Sequence, residues 1–75
     1  MADKTLDVKG LNCPLPILRA NKSLNEVPAG GTLEILATDP GSVADFEAFC
    51  DATGNRLIES TADAGVFRFL IQRRG

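Results

Sequence analysis

Residues Gly10 to Ala20 read GLNCPLPILRA, which sets Cys13 directly before two prolines, Pro14 and Pro16. The chemistry open to a cysteine in such a place is nucleophilic, because the thiolate attacks sulfur or carbon and forms a covalent adduct. The first N–H groups of a helix have no partner within it. Proline, with no N–H to lose and a fixed φ, suits its first turn. This spacing predicts Pro14 at the first helical position, Cys13 as the N-cap and Pro16 still inside the first turn. A proline also disfavours α conformation in the residue before it, here Leu15, so a regular helix beginning only at Pro16 is the other reading. An N-cap thiolate faces the positive end of the helix dipole, which predicts a thiol pKa below the free value of about 8.5. Gly10 allows another backbone to approach closely. Cys13 is therefore expected to be exposed, rigidly presented and nucleophilic.

The ordinary fate of a lone cysteine is burial as a small hydrophobe. The position of Cys13, between a strand end and a helix start, favours a site, since such loops form the mouths of α/β sheets. Cys50 reads the other way: it lies in mid-helix, four residues after Phe46, and is assigned to packing. The chain has two cysteines, no histidine, no tryptophan and no tyrosine. Without histidine there is no cysteine–histidine dyad and no ordinary zinc site. No cofactor or metal is expected, and two distant thiols in a reducing compartment are not expected to form a disulfide.

Eight basic and ten acidic residues give a net charge of −2, and they are scattered. A primary nucleic-acid binder normally shows a basic stripe, so direct nucleic-acid binding is not expected. Arg73-Arg74 is the only basic doublet and is assigned to a solvated tail. No apolar run approaches the roughly 20 residues of a membrane span, and MADKTLDV has no apolar signal stretch. A cytoplasmic protein without membrane contact is expected.

The elements that must position Cys13 follow from the periodicity. Leu6 and Val8 in residues 5–9 alternate as in a short strand. From Pro14 to about Val27, Ile17, Ala20, Leu24 and Val27 recur at helical spacing, with Leu18 beside them. Pro28 and Ala29-Gly30-Gly31 then turn the chain. Residues 32–38 alternate through Leu33, Ile35 and Ala37, and Leu36 on the other face suggests a covered, central strand. Asp39-Pro40-Gly41 is a turn. A second helix carries Val43, Phe46, Phe49 and Cys50, and Gly54 closes it. Either Ser42 with Asp45 forms a capping box at its start, or Asp45 is itself the cap. Residues 55–60 and 66–73 are strands joined by a turn around Asp63-Ala64-Gly65. The expected fold is α/β, a two-layer α+β sandwich of βαβαββ order, with a four-stranded mixed sheet and two helices on one face.

The stretch LDVKGLNCPLPILRANKSL resembles the signature of the TusA/SirA-like sulfur-carrier proteins, which carry Gly-Leu-x-Cys-Pro-x-Pro after the first strand. The likeness continues through the turn at Thr38 to Pro40, Asp45-Phe46, Phe49-Cys50, Gly54 and the terminal FRFLI strand. It implies that residues 1–75 form a single sulfur-carrier domain, in which Cys13 bears sulfur as a persulfide. The sulfur would come from a donor protein, such as a cysteine desulfurase or a rhodanese, and pass to an acceptor cysteine. That describes a persulfide sulfurtransferase or carrier rather than a turnover enzyme, and a monomer is expected. Gly10, Leu11, Asn12, Pro14, Leu15 and Pro16 would shape the site, and Lys9 and Arg19 would steer acidic partners or simply be solvated charges. Relatives serve tRNA thiolation, cofactor assembly or sulfur oxidation. Members associated with tRNA thiolation often carry an acidic residue where this chain has Leu15 and arginine where it has Asn12. The motif surface here is thus more apolar, and different partners are expected. Two other readings stay open, a redox protein using Cys13 and a non-catalytic interaction module.

Overall fold

The most apolar alternating segments form the middle of the sheet, and the polar ones form its edges. The computed structural model describes residues 2–75. In chain order the elements are β1 (Lys4–Asp7), α1 (Leu15–Leu24), β2 (Thr32–Ala37), α2 (Ser42–Thr53), β3 (Arg56–Asp63) and β4 (Val66–Gln72). The sheet order is β1-β2-β4-β3. Strands β1 and β2 are parallel, and β4 is antiparallel to both β2 and β3. This is the expected mixed four-stranded sheet with two helices. The hairpin's second strand inserts between β2 and β3, so the α2 crossover skips one strand position.

Side-chain chemistry explains that insertion. Strand β4, VFRFLIQ, buries Phe69 and Ile71 completely and belongs in the centre. Strand β3, RLIESTAD, is exposed at all but one position, which suits an edge. Its pairing slips between Leu57 and Glu59, leaving Ile58 as the bulged residue. Bulges and polar side chains are the usual means of keeping an edge strand from pairing with another chain.

The helices cover one face of the sheet. Leu33, Ile35 and Ala37 of β2 meet Phe69 and Ile71 of β4, and Ala20, Leu24, Phe46 and Cys50 come down from the helices. The Phe46 and Phe69 rings lie 4.7 Å apart at a tilt of 36° and form the centre of this layer. Leu18 points away from this core and is 58% exposed, because it lies about 100° around the helix from Ile17. Leu36 is half-buried on the opposite sheet face. Strand β2 is central because it is paired on both sides, and no helix covers its second face. On that face Arg68 pairs with Glu34 and Glu59, and its guanidinium holds the Glu34 carboxyl below the usual carboxylate range.

Helix α2 starts differently from either reading of its cap. Gly41 is the N-cap residue and no side chain caps the helix. Ser42 is buried with its Oγ unpartnered, and Asp45 lies in the first turn. The Asp39 carbonyl accepts the Ser42 N–H at 2.9 Å instead. At the other end Gly54 adopts φ 78° and donates to the Cys50 carbonyl, as a C-terminal glycine should. No helix is long and apolar enough to cross a membrane among the described residues.

Replacing Phe46 by alanine removes the largest side chain that α2 places in the core. The expected loss is about 3–5 kcal/mol of unfolding free energy, read by urea denaturation. A loss below about 1 kcal/mol would show that the ring does not fill the centre of the sandwich.

Candidate functional site

Parallel pairing of β1 with β2 brings the chain segments that leave their C-terminal ends to one edge of the sheet. The two connections that follow, residues 8–14 and 38–41, therefore meet. Val8 continues the ladder by donating to the Leu36 carbonyl at 2.8 Å and is buried. The chain then turns at Gly10, where φ is 83°. A side chain there would meet nothing within 4 Å. The glycine serves the left-handed backbone and not the close approach expected from the sequence.

Hydrogen bonds from the second loop grip this turn at two points. The Gly10 N–H donates to Thr38 Oγ1 at 2.9 Å. The Cys13 N–H donates to Asp39 Oδ2 at 3.0 Å, while Asp39 Oδ1 accepts the Gly41 N–H at 3.3 Å. One carboxylate thus ties the thiol's own backbone to the start of α2. Cys13 itself is exposed, as expected.

Helix α1 begins later than its first proline. Pro14 occupies the N-cap position at φ −97° and ψ 12°, the helix runs from Leu15, and Pro16 is its second residue. Cys13 therefore precedes the cap, a correction to the expected N-cap assignment. The constraint that a proline places on its predecessor is one reason for an irregular entry. Few of the donors that should face the thiol are available. Pro14 and Pro16 have no N–H, and the Leu15 N–H donates to the Asn12 carbonyl at 2.9 Å.

Carboxylates govern the electrostatics instead. A hydrogen bond to the Asp45 side chain raises the Cys13 pKa above the ordinary thiol range, with desolvation and the charges of Asp45 and Asp39 acting in the same direction. The expected downward shift is thus reversed. A negative neighbour disfavours a second negative charge, and a helix start depleted of N–H donors by two prolines offers little against it. Cys50 is buried on the inner face of α2, where desolvation pushes its thiol up to about 11. It belongs to the core and cannot readily resolve a disulfide with the exposed Cys13.

The other expected site residues separate into two groups. Leu11 is half-buried against the core and Pro16 is buried, so both anchor the loop. Asn12, Pro14 and Arg19 are exposed. Leu15 and Leu18 are 45% and 58% exposed, one helical turn apart, and form an apolar strip just beyond Cys13. Lys9 is within 3.8 Å of Asp7, a surface pair of little energetic weight. In the sequence, Thr38, Asp39 and Asp45 carry no more than turn and capping signals. The signal that could have found them was the Asp39-Pro40-Gly41 turn at the end of a strand parallel to β1.

Comparison with known proteins settles the family. The sulfurtransferase TusA family profile matches residues 4–73. The chain belongs to the TusA sulfurtransferase family. It is 58% identical over 71 residues to the sulfur carrier protein TusA of Allochromatium vinosum, covering 95% of this chain and 93% of that one. With the sulfur carrier protein TusA of Pseudomonas putida the identity is 38% over 72 residues, or 96% of this chain and 90% of the relative. A crystal structure of a SirA-like protein from Desulfitobacterium hafniense superposes with a TM-score of 0.83 at 30% identity. The match covers 96% of this chain and 99% of that one. The TusA-family assignment and the two-layer fold agree with the resemblance carried by the Cys13 motif.

The electrostatic reading has a direct test. Cys13 alkylation by iodoacetamide, followed by mass spectrometry across pH in a Cys50→Ser background, reports the thiolate fraction. A raised pKa keeps the thiol protonated at neutral pH, so the rate should climb only in the alkaline range. Asp45→Asn should move that profile to lower pH and speed alkylation at pH 7. An unchanged profile would show that the carboxylate does not control the thiol.

Proposed function

We propose that this TusA-family chain carries sulfur as a persulfide on Cys13, relaying it between two partner proteins. The observation that supports this most is an exposed thiol on a backbone pinned at Gly10 and Cys13, beside the exposed Leu15 and Leu18. A thiol presented in this way suits attack within a docked protein pair.

The transfer balances without an external oxidant. The Cys13 sulfur, as thiolate, attacks the terminal sulfur of a donor persulfide. A bond forms between Cys13 Sγ and that sulfur as the donor's S–S bond breaks. The electron pair leaves with the donor's inner sulfur, which departs as a thiolate and takes up the proton that Cys13 has lost. Delivery repeats the exchange, with an acceptor cysteine attacking the outer sulfur on Cys13.

The carboxylates give this relay a condition. With Asp39 and Asp45 beside it, the free carrier holds Cys13 largely as the thiol at neutral pH. A docked partner that brings positive charge to these carboxylates would favour the thiolate, so activation would accompany docking. Leu15 and Leu18 supply apolar contact area, while Lys9 and Arg19 border the same surface. A cysteine desulfurase or a rhodanese is the donor class that fits. The setting we assign is a cytoplasmic, monomeric, single-domain carrier acting in sulfur trafficking for tRNA thiolation, cofactor assembly or sulfur oxidation.

Intact-mass spectrometry after incubation with a cysteine desulfurase and cysteine tests the reading. Wild type and Cys50→Ser should each gain one reducible sulfur atom, and Cys13→Ser should gain none. Sulfur retained on Cys13→Ser, or absent from wild type with desulfurase and rhodanese donors alike, would overturn it.

A further inference from the structure

The C-terminal ends of α1 and α2 and the last residues of the chain enclose a cleft of about 340 Å³. The thiol stands at the other end of α1, whose ten residues span about 15 Å. The polar lining of the cleft comes from Asn21 and Asn25 of the α1 end, Thr53 and Asn55 beside the α2 end, and Arg73 and Arg74. The sequence alone suggested that the two arginines form a solvated tail.

Arg73 is half-buried and held by backbone and side chain, whereas Arg74 stays exposed and is held by its backbone. The Arg73 N–H donates to the Gly31 carbonyl at 2.8 Å, and its guanidinium bonds the Val27 carbonyl. The Arg74 N–H donates to Asn55 Oδ1 at 2.9 Å. Its side chain lies over Gly54, where an added Cβ would sit 3.5 Å from Arg74 Cδ and 3.6 Å from Nη1. Asn55 is held in turn by donating to Thr53 Oγ1 at 2.8 Å, and Thr53 donates to the Phe49 carbonyl at 2.7 Å. The amides of Asn21 and Asn25 are exposed alongside.

Charge decides which ligand such a cleft would take. No carboxylate lines it, and neither guanidinium is ion-paired among the described residues. Glu26, near the α1 end, is paired with Lys4. The charged side chains of the lining are two guanidinium groups, which face the negative ends of two helices. The Thr53 hydroxyl already donates to Phe49, so the donors left to a ligand are the Asn21 and Asn25 amides, the second Asn55 N–H and the two arginines. That arrangement suits the tetrahedral oxygens of a phosphate better than a planar carboxylate.

We propose that this cleft binds a phosphate group, free or as a monoester, at a site separate from Cys13. Its occupation leaves the thiol edge uncovered, so a phosphate-bearing ligand and a protein docked at Cys13 can be held together.

Proton–nitrogen correlation NMR of the whole chain tests this, with inorganic phosphate, glycerol phosphate and acetate titrated separately at constant ionic strength. The two phosphates should give saturable shifts confined to residues around Asn21, Asn25, Thr53 to Asn55 and Arg73 to Arg74. Gly10 to Asn12 should not move. Arg74→Gln, which spares the backbone bonds of Arg73, should weaken binding by about tenfold or more, since it removes a charged hydrogen-bond donor. Asn21→Asp, which places a carboxylate in the lining, should weaken it as well. Tighter binding of either phosphate over the other identifies the source. Absence of saturable shifts, equal saturation by acetate, or undiminished affinity in both variants would overturn the proposal.

Discussion

The Asp39 carboxylate is the constraint on which the candidate site depends. One oxygen accepts the Cys13 N–H at 3.0 Å and the other accepts the Gly41 N–H at 3.3 Å. A single side chain therefore fixes the loop after β1 to the loop after β2. With Thr38 holding Gly10, the thiol's backbone cannot drift relative to the sheet. Hydrogen bonds to a charged acceptor are the stronger kind, so this clasp holds the two loops together firmly.

The same carboxylates set the chemistry of the sulfur. A cysteine ahead of a helix would ordinarily gain a lowered pKa from free N–H groups and the dipole. Pro14 and Pro16 remove two such donors, and Asn12 engages that of Leu15. Asp45 then stands beside Sγ and raises the pKa. The prolines shape and stiffen the turn, but they also deprive the thiolate of its expected stabilisation. Reactivity under this arrangement depends on what approaches the carboxylates.

The packed layer behind the site explains its rigidity. Leu33, Ile35 and Ala37 of β2 lie beneath the helices with Phe69 and Ile71 of β4, all fully buried. Strand β2 ends directly in Thr38 and Asp39, so the clasp grows out of the best-packed strand. At the far end of the helices the chain uses its arginines differently. Arg73 and Arg74 close over helix C-termini, and their guanidinium groups line the cleft.

The sequence by itself determined the element order, nearly all of the core and the identity of the exposed thiol. Each of these rests on local information: period two or period 3.6 in the apolar residues, turn residues between them, and Cys-Pro-x-Pro at a strand–helix junction. It did not determine that β4 lies between β2 and β3, because strand order depends on which hairpin arm best tolerates burial on both sides. Nor did it determine the direction of the Cys13 pKa shift. Asp39 lies 26 residues away along the chain and becomes a neighbour only when β1 and β2 pair in parallel. Arg74 is exposed, as the sequence suggests, yet both terminal arginines line a cleft that forms only when Gly54 and the helix ends are folded against them. Electrostatics and hydrogen bonding between distant loops are properties of the assembled sheet edge, and only the tertiary structure could decide them.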